Sequence, residues 1–587
     1  MAQDAVAQRI YPDPPGPAAR ERSHGWGFAD SGFAIDEQAR VVFTGSRYAI
    51  SGQVIPGLLP WAEGILGLSL DPRGVHPKRE RPEVPERIAC PALEAALAER
   101  LPPERRSTDP LVRLRHGHGH TQEDVWDTGW GHLARVPDLV VWPVDEDEIE
   151  FVVSNARLHG ACLVPFGGGT NVCDALRCRP EERRTIVSLD MRRMNRVRWI
   201  DPVDRTARIE AGATGLEIEA QLAAHGFTLG HEPDSAELST LGGWIAMNAS
   251  GMKKNRYGNI EDLVLEISAL TADGERLERA AAPRESVGGD PARWLIGSEG
   301  RLGVVTSAVV KVFPVPEVRR FGSVLFRDFE AGVAFLRDVE RSGSKPASVR
   351  LMDNLQFQFG QALKPAKSGL AAWKSAAERA FVLQGLRFDA DRMVACTLLF
   401  EGGRDEVRAQ ERAIYGLARR HGGMRAGTEN GERGYQLTFA IAYIRDFMLE
   451  HWVIGESFET SVPWSALEAV CTNVKQRVFA EHAKRGLPGR PFISVRVTQL
   501  YETGVCLYFY LAFHYEGVDR PSAVFAEIEH AARDEILASG GSLSHHHGIG
   551  KLRAPFLPRV FSSAALDWRA RQKRALDPDD LFGCGNG

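Results

Sequence analysis

The sequence has few cysteines, and no two of them form a CxxC motif. Its eight cysteines are scattered along 587 residues, so the pattern indicates neither a zinc ribbon nor a disulfide framework. This cysteine usage fits a reducing compartment.

The chain also lacks a long apolar run. No stretch reaches the roughly 20 apolar residues that a membrane-spanning helix needs, and residues 1–28 contain no apolar signal-peptide core. The most apolar early segment, 54–70, contains two prolines and three glycines and favours a packed helical turn over a membrane-surface patch. We expect a protein that is soluble or peripheral to a membrane.

A strong net charge is missing as well. The formal charge of -5 offers no general attraction for nucleic acid, so no nucleic-acid partner is expected and any anion must be bound locally. With 43% hydrophobic and 25% charged residues, the composition is that of a globular protein. A chain of this length exceeds one ordinary hydrophobic core, which predicts two large domains with smaller helical additions.

Alternating strands and helices from about residue 135 predict an α/β unit. Asp145 is placed to cap a helix with Glu148 three residues on, and the strand that follows runs directly into the glycines of PFGGGTN. Thr214 and Glu217 repeat the capping pattern at the start of a second helix.

Other parts of the chain have a different character. From about 314 to 539 long strands mix with long helices, which predicts a separate domain. The segments 1–25 and 71–87 are rich in proline and charge and are expected to be disordered linkers.

Glycine-rich loops follow several of the predicted strands. A triple glycine such as that of 165–171 is more often a tight turn than a ligand loop, and it is neither a Walker A motif nor a Rossmann GxGxxG. Related loops occur at 230–264 and 297–306, however, and backbone without Cβ atoms can approach phosphate closely. Three such loops in one region favour a single extended dinucleotide that is contacted several times.

These loops carry a specific resemblance. PDLVVWP, PFGGGT, GHEPDS, GGWIAMNASG and GSEGRLGVVT resemble the FAD domain of the vanillyl-alcohol-oxidase, or PCMH, superfamily. Within it, HGWGFADS, ASGMKKNRYGNIEDLV, SVRLMDNLQFQFGQALKP, AIAYIRDF, GESFETSVPW and GGSLSHHHGIGKLR resemble the alkylglycerone-phosphate synthases. The resemblance extends over nearly the whole chain, from about His24 to Gly583.

The resemblance implies an α+β fold. It places a two-subdomain PCMH-type FAD-binding domain at 126–315, a separate α+β cap domain for the substrate at 316–540, and a C-terminal active-site segment at 541–587 that returns to the FAD domain. A helical and partly disordered region, with flanking helices, would occupy 1–125.

It also implies an enzyme of ether lipid biosynthesis. Such an enzyme exchanges the acyl chain of acyl-dihydroxyacetone phosphate for a long-chain fatty alcohol, through an adduct at flavin N5. The FAD is bound non-covalently, and PFGGGT agrees with this because it lacks the histidine that often forms the flavin link in relatives. By resemblance the FAD is lined by Pro165, Phe166, Gly167, Gly168, Gly169, Thr170, Asn171, Asp234, Ser235, Ala236, Glu237, Leu238, Ser239, Thr240, Met247, Asn248, Ala249, Ser250, Glu299, Gly300, Arg301, Leu302, Gly303, Val304 and Val305.

Two arginines stand in apolar contexts where an unpaired cation would be costly, Arg350 in SVRLMDN and Arg445 in AIAYIRDF. A guanidinium can bind phosphate with two charge-assisted hydrogen bonds. By resemblance Arg445 holds the substrate phosphate, Arg350 supports activity, and Ser457 and Thr460 lie nearby. A structural buried ion pair is the alternative for each arginine.

Tyr508 and Tyr510 alternate along a predicted strand and should share one face. Core packing is the simpler interpretation of Tyr510. Tyr508 matches the catalytic tyrosine of the family, an acid or base at the substrate C1 carbon, and its usual pKa of about 10 requires help from nearby cations.

The histidines of SHHHGIG suggest a metal site at first sight. Adjacent residues of an extended chain point to opposite sides, and the neighbouring sequence supplies no carboxylate or cysteine, so no metal is expected. By resemblance His545, His546 and His547 belong to the active site, together with His231 of GHEPDS. For His231, a role in structuring its own turn is an equal alternative.

Two other functions compete with this interpretation. A flavin dehydrogenase for a D-2-hydroxy acid such as lactate or glycolate shares the HGIG string, but those enzymes usually carry an HxGDGNxH metal string where this chain reads LYFYLAFHY. A non-catalytic FAD-binding or membrane-scaffold protein would have no use for buried arginines, tyrosine and histidines together.

Eukaryotic members of the family are peroxisomal. This chain shows no C-terminal SKL and no obvious N-terminal peroxisomal signal, and its bias to Arg, Ala and Gly is typical of a high-GC bacterium. We therefore expect a bacterial cytoplasmic enzyme, with peripheral contact to the inner membrane and a homodimer left open.

Overall fold

The computed structural model describes residues 21–366, 384–583, 585 and 586. The fold is the expected α+β type. Three larger sheets organise the described residues: a four-stranded sheet, a five-stranded sheet and a seven-stranded sheet, which we call the cap sheet. Of the segment 1–25 that was expected to be disordered, residues 1–20 lie outside the described part of the chain. For residues 21–25 the expectation is wrong, because Glu21 pairs with Arg192 at 2.7 Å and Arg22 donates to the Ser31 carbonyl at 2.7 Å.

The four-stranded sheet carries the first glycine loop. Its edge strand pairs antiparallel, whereas its other two pairings are parallel. Helix Glu146–Leu158 leads into the last of these strands, and it begins as predicted, with the Asp145 carboxylate accepting a hydrogen bond from the Glu148 N–H at 2.9 Å. In spatial order the strands are Arg106–Ser107, Leu139–Val141, Ile186–Asp190 and Cys162–Phe166.

The five-stranded sheet is antiparallel throughout. The predicted capping box opens helix Gly215–Ala223, because Glu217 Oε2 accepts a hydrogen bond from the Thr214 N–H at 2.9 Å while the Thr214 hydroxyl accepts one from the Glu217 N–H. In spatial order the strands are Arg276–Leu277, Val264–Leu270, Val304–Lys311, Thr206–Glu210 and Val197–Asp201.

The cap sheet is also antiparallel throughout, and its two faces differ. One face packs with four helices into an apolar core that includes Phe335, Val474, Phe509 and Phe525. Since successive side chains alternate between the faces of a strand, Tyr508, Tyr510 and Ala512 point to the other face. The four helices are Phe329–Arg341, Arg404–Arg420, Leu467–Lys484 and Pro521–Ala538. The strands are, in spatial order, Met424–Arg425, Val318–Phe326, Val394–Gly402, Ser348–Met352, Phe492–Leu500, Gly504–His514 and Val453–Pro463.

Shorter elements complete the described chain. Strand pairs join Gly32–Ile35 to Val41–Thr44 and Phe227–Thr228 to Phe313–Pro314. The remaining α-helices are Leu58–Leu66, Pro91–Ala98, Pro110–Arg115, Gln122–Gly129, Leu241–Met247, Lys254–Tyr257, Ile260–Leu263, Asn354–Ala362, Glu429–Ala440, Ala442–Glu450, Gly550–Arg553, Leu557–Val560 and Ser563–Leu576, and short 3-10 helices occupy Pro103–Arg105, Met191–Arg193, Pro291–Trp294 and Ala554–Phe556.

The early segments 54–70 and 71–87 are both ordered in the structure. The apolar segment 54–70 contains the helix Leu58–Leu66, which buries Leu58, Leu59, Ala62 and Leu66, as a packed helix should. The expectation of disorder for 71–87 is wrong: the segment has no helix or strand, but it packs on the body through the His76 ring, which stacks on Trp452 at 4.5 Å. None of the helices in the described ranges is both long and apolar enough to cross a bilayer.

Candidate active site

The glycine loops and the open face of the cap sheet surround one cavity of about 430 Å³. All seven residues of the loop 165–171 line it, which places the first glycine loop on the cavity wall. The other sequence-predicted residues on the wall are Asp234, Ser235, Ser239, Thr240, Met247, Ala249, Ser250, Glu299, Gly300, Gly303, Val304, Val305, Arg350, Arg445, Ser457, Tyr508, His546 and His547. The fold thus brings most of the expected cofactor and substrate residues together.

The remaining expected residues lie behind the wall. Glu237 turns away and accepts a hydrogen bond from the Tyr48 hydroxyl at 3.0 Å, and the Thr460 hydroxyl donates to the Ser542 carbonyl at 2.7 Å. The set that does not line the cavity is Ala236, Glu237, Leu238, Asn248, Arg301, Leu302, His231, Thr460 and His545.

The glycine loop is packed too closely to carry side chains. A Cβ atom on Gly168 would overlap the Leu238 carbonyl oxygen, and one on Gly167 would overlap the Thr240 hydroxyl. Gly169 adopts a φ of +67°, in the left-handed region that favours glycine. The three glycines therefore present bare backbone to the cavity. The buried Nδ2 of Asn171, the last residue of the loop, has no hydrogen-bond partner among the described residues. These features fit a bound dinucleotide.

Arg445 projects into the cavity from helix Ala442–Glu450. Its Nη1 donates to the His120 carbonyl at 2.6 Å and to Glu456 Oε2 at 2.8 Å. Its Nη2 is buried and has no hydrogen-bond partner within the described ranges. Its Nε lies 3.5 Å from Asp446 Oδ1, so two carboxylates balance the charge of the guanidinium. The free Nη2 can still donate a charge-assisted hydrogen bond to an anionic group of a ligand.

Asp234 lies between two arginines of the cap sheet. Its Oδ1 is 3.4 Å from Arg350 Nη2 and its Oδ2 is 3.6 Å from Arg496 Nη2. Arg350 also donates from Nη1 to the Thr438 hydroxyl at 3.0 Å. One carboxylate thus faces two guanidinium groups.

Tyr508 lies beside candidate residues of two other segments. Its hydroxyl is 3.2 Å from His547 Nε2 and accepts a hydrogen bond from the Ser457 hydroxyl at 3.2 Å. Burial raises the pKa of Tyr508 well above its usual value, and Tyr510 adds to this effect. The phenol is therefore in a position to exchange a proton with a ligand or with His547.

The three consecutive histidines are held by one buried carboxylate. Glu459 accepts hydrogen bonds from the backbone N–H groups of His545 at 2.5 Å, His546 at 3.2 Å and His547 at 2.9 Å, and from the Ser544 hydroxyl at 2.7 Å. Glu459 is 0% exposed. Its charge thus fixes the path of the segment that carries His546 and His547 to the cavity.

Burial keeps these histidines neutral. It lowers the pKa of His545 to about 3 and the pKa values of His546 and His547 below the usual range. His545 instead contacts the Tyr501 hydroxyl through Nε2 at 2.6 Å. A neutral imidazole can accept a proton, so His546 and His547 can act as bases at the cavity.

The reason for expecting no metal was wrong. The sequence around the histidines offers no carboxylate or cysteine, but the fold brings Glu459 and Cys506 to them, and one ligand atom of each of Glu459, Cys506, His545 and His546 lies within 4.8 Å of the others. The Glu459 oxygens already accept four hydrogen bonds from the histidine segment. A cation would have to displace these donors.

His231 is buried against Trp244. Its ring lies 4.8 Å from Trp244 in an edge-on arrangement, and burial lowers its pKa to about 3. Neither ring nitrogen has a hydrogen-bond partner among the described residues. In this structure its ring does not line the cavity, so a direct role for His231 stays a prediction.

Sequence reasoning missed several polar residues of the site. Arg496, Glu456 and His120 line the cavity, and Glu459 supports it. Arg496 stands in SVRV, the same kind of apolar strand context as Arg350 in SVRL, and this signal could have identified it. Glu456 and Glu459 lie on the same strand as Ser457, but only the strand pairing shows which side chains they meet.

Comparison with known proteins agrees with this site. A family described as FAD binding domain matches residues 137–279, and one described as FAD linked oxidases, C-terminal domain, matches 315–586. The alkyldihydroxyacetonephosphate synthase of Caenorhabditis elegans is 43% identical over 96% of this chain and 94% of its own. That of Dictyostelium discoideum is 33% identical over 82% and 78%. A glycolate oxidase subunit of Escherichia coli is 26% identical over 82% and 91%.

A solved structure supports the same relationship. An alkyldihydroxyacetonephosphate synthase is similar to this chain with a TM-score of 0.83 and 28% identity, over 96% of this chain and 97% of that one. The p-cresol methylhydroxylase structure, with a TM-score of 0.60 and 16% identity over 84% of this chain and 95% of that one, shares the fold.

The expected location in a bacterial cytoplasm is wrong. The synthases at 43, 33 and 32% identity come from Caenorhabditis elegans, Dictyostelium discoideum and Trypanosoma brucei brucei, all of them eukaryotes. Eukaryotic members are peroxisomal on the resemblance described above. Base composition was therefore a poor guide to location.

Proposed function

Because the chain belongs to the alkyldihydroxyacetonephosphate synthase family, we propose that its cavity exchanges the acyl chain of acyl-dihydroxyacetone phosphate for a long-chain fatty alcohol. The protein is an FAD-dependent enzyme of ether lipid synthesis. The observation that carries the proposal is the unpartnered Nη2 of Arg445 in the same cavity as Tyr508, His547 and the glycine loops.

The glycine loops would hold the cofactor. The bare backbone of 165–171 and the buried Asn171 Nδ2 suit the pyrophosphate, and 234–240, 247–250 and 299–305 contribute the further wall residues given above. The bound flavin would supply an electrophilic centre for C1 of the substrate.

Arg445 would bind the substrate phosphate. Its Nη1 is fixed by the His120 carbonyl and Glu456, so the guanidinium cannot turn away and Nη2 stays directed at the ligand. The fork geometry of arginine suits phosphate oxygens. This contact would orient C1 of the substrate near Tyr508.

Tyr508 and His547 would move the proton at C1. Their hydrogen-bonding atoms lie 3.2 Å apart, so a proton on one can pass to the other. His546 lines the same wall and is a second acceptor in reach of the cavity. Ser457 donates to the Tyr508 hydroxyl and would hold the phenol in position.

The apolar end of the cavity would take the alkyl chains. Along the cap sheet, Tyr508 is opposite Arg496, and four residues further Ala512 is opposite Phe492. At about 3.4 Å per residue these rows are roughly 14 Å apart. The second row is apolar, and helix Leu58–Leu66 covers it with Trp61, whose ring lies 5.4 Å from Phe492. Since both substrates carry long chains, a peripheral membrane contact belongs to this proposal, and vesicle flotation tests it.

A half-reaction tests the proposal. Mixing the enzyme with acyl-dihydroxyacetone phosphate without any alcohol should bleach the oxidised flavin band and release fatty acid, and hexadecanol should then restore the band and yield the ether product. Tyr508→Phe is the matched control: it should keep FAD and lose turnover, because only the hydroxyl is removed.

The competing dehydrogenase would behave in the opposite way. D-lactate or a related hydroxy acid would reduce the flavin, and a dye acceptor would reoxidise it through many turnovers. That result, without fatty acid release, would exclude the synthase reaction while leaving the FAD fold intact.

A further inference from the structure

Arg496 lies directly opposite Tyr508 in the cap sheet. The two residues are register partners on strands Phe492–Leu500 and Gly504–His514, and opposed side chains of one sheet face are close neighbours. The Arg496 Cζ lies 4.8 Å from the Tyr508 ring centroid and 5.3 Å from that of Tyr510. The guanidinium thus covers both phenol rings.

The charge of Arg496 is only partly balanced. Its Nη2 is 3.6 Å from Asp234 Oδ2, beyond a good hydrogen bond, and Asp234 also faces Arg350 at 3.4 Å. The Arg496 Nε is buried and has no hydrogen-bond partner among the described residues. Since one carboxylate serves two guanidinium groups, positive charge is left beside Tyr508.

A purely structural role would explain less of this arrangement. A cation over two aromatic rings stabilises their packing, but an apolar side chain could fill the same space without the cost of burying a charge. A buried cation beside a phenol instead favours the ionised form of that phenol.

We propose that Arg496 is a positioning residue that acts through Tyr508, stabilising its phenolate while the phenol exchanges a proton with the substrate. This inference rests on the proposed function, because it requires Tyr508 to act as the base at C1. In that step the C1–H bond breaks, the O–H bond of Tyr508 forms, and the electron pair stays with the substrate. Tyr508 must therefore be ionised beforehand.

The surroundings of Tyr508 make Arg496 necessary. Burial, Tyr510 and Asp234 all raise the pKa of Tyr508, whereas Arg496 and the hydrogen bond from Ser457 lower it. His546 and His547 face the same phenol but are neutral because burial lowers their pKa values, and Glu459 behind them is negative. Arg496 is the cation nearest the ring within the described residues.

The pH dependence of turnover tests this role. Arg496→Gln should move the ionisation of Tyr508 to higher pH by about one pH unit or more, since removal of a cation disfavours the phenolate. The kcat at neutral pH should fall about tenfold for each pH unit by which the ionisation of Tyr508 moves, and it should recover as the pH is raised. The KM for acyl-dihydroxyacetone phosphate and the FAD content should stay close to wild type.

A spectrophotometric titration gives a second readout that needs no turnover. The difference in tyrosinate absorbance between the wild type and Tyr508→Phe reports the ionisation of Tyr508 alone, and the same difference in an Arg496→Gln background should appear at higher pH. Because it does not depend on activity, this result separates a failure of the inference from a failure of the proposed reaction. If Arg496→Gln does not fold, Arg496→Met, which keeps the side-chain length, carries the same test.

Three outcomes would overturn the proposal. An unchanged Tyr508 titration with kcat lowered equally at every pH would show a structural role. A raised KM alone would make Arg496 a phosphate ligand. A further loss of kcat on adding Arg496→Gln to Tyr508→Phe would show that Arg496 does not act through Tyr508.

Discussion

At the scale of single residues, the three arginines of the cavity differ in how they are paired. Arg445 is fixed by Glu456 and the His120 carbonyl, while Arg350 and Arg496 share Asp234. Each arrangement leaves donor atoms without a protein partner among the described residues. These donor atoms are free to bind a ligand or a reacting group.

Replacement of Arg445 tests its role as a phosphate ligand. Arg445→Ala should raise the KM for acyl-dihydroxyacetone phosphate by about 10- to 100-fold, the equivalent of one charge-assisted hydrogen bond. Arg445→Lys should recover only part of this, because an ammonium cannot reproduce the fork. Initial-rate kinetics measure both effects.

Arg445→Ala also leaves Glu456 buried without its partner, which lowers stability. The double variant Arg445→Ala with Glu456→Gln is therefore the control: it should regain melting temperature but not substrate affinity. A wild-type KM in either variant would place Arg445 outside the phosphate site.

Replacement of Glu459 should change both the stability of the protein and the geometry of the site. Glu459→Gln replaces one carboxylate oxygen by an NH₂ group that cannot accept the N–H groups of the histidine segment. We expect a loss of about 1–3 kcal/mol in the free energy of unfolding and a loss of turnover, measured by denaturant unfolding and by activity. The exposed Glu37→Gln should change neither, and equal behaviour of the two variants would show that Glu459 does not hold the segment.

At the scale of elements, the antiparallel strands of the cap sheet order the cavity from polar to apolar. The row of Glu459, Tyr508 and Arg496 lies at one end, and the row of Gly455, Ala512 and Phe492 lies further along. Gly455 has no side chain and Ala512 has only a methyl group, which leaves room above the sheet. The distance along the strands from the polar row to the apolar row thus sets where the bound alkyl chain lies.

Ala512→Leu tests whether the alkyl chain passes this apolar row. The added atoms should obstruct the apolar end, so that turnover with hexadecanol falls while turnover with a short alcohol such as hexanol is retained. Ala512→Gly, which adds no volume, is the matched control and should keep the wild-type ratio of the two rates. The same loss with both alcohols would mean that the chain does not pass Ala512.

At the scale of the whole molecule, a buried ion network joins the FAD-binding part to the cap sheet. Lys253 Nζ lies 2.9 Å from Glu232 Oε2 and 3.6 Å from Glu401 Oε1. The Tyr435 hydroxyl donates to Glu232 at 2.8 Å and the Tyr257 hydroxyl to Glu401 at 2.7 Å. Because these groups are buried and paired, they fix the position of the FAD-binding part against the cap sheet.

Whether the FAD is bound covalently can be tested on the whole protein. The glycine loop 165–171 contains no histidine, so we expect the purified protein to be yellow and acid precipitation to leave a colourless pellet with free FAD in the supernatant. Absorbance of both fractions measures this. A pellet that stays yellow after washing would show a covalent flavin.

Local patterns, together with the family resemblance, were enough to predict the fold class and the cofactor class. Asp145 and Thr214 predict their helices through contacts only three residues away, and the glycine loops predict a dinucleotide because glycine has local backbone consequences. Alternation along one strand likewise placed Tyr508 and Tyr510 on one face.

The charges that meet at the site come from distant parts of the chain, and their pairing could not be predicted. Arg496 faces Tyr508 because of the register between two strands, and Glu459 reaches His545 to His547 from 86 to 88 residues away. Register depends on the pairing of whole strands and on which face is buried, and no local pattern encodes it. For the same reason the sequence could not show that Glu237 and His231 lie behind the wall.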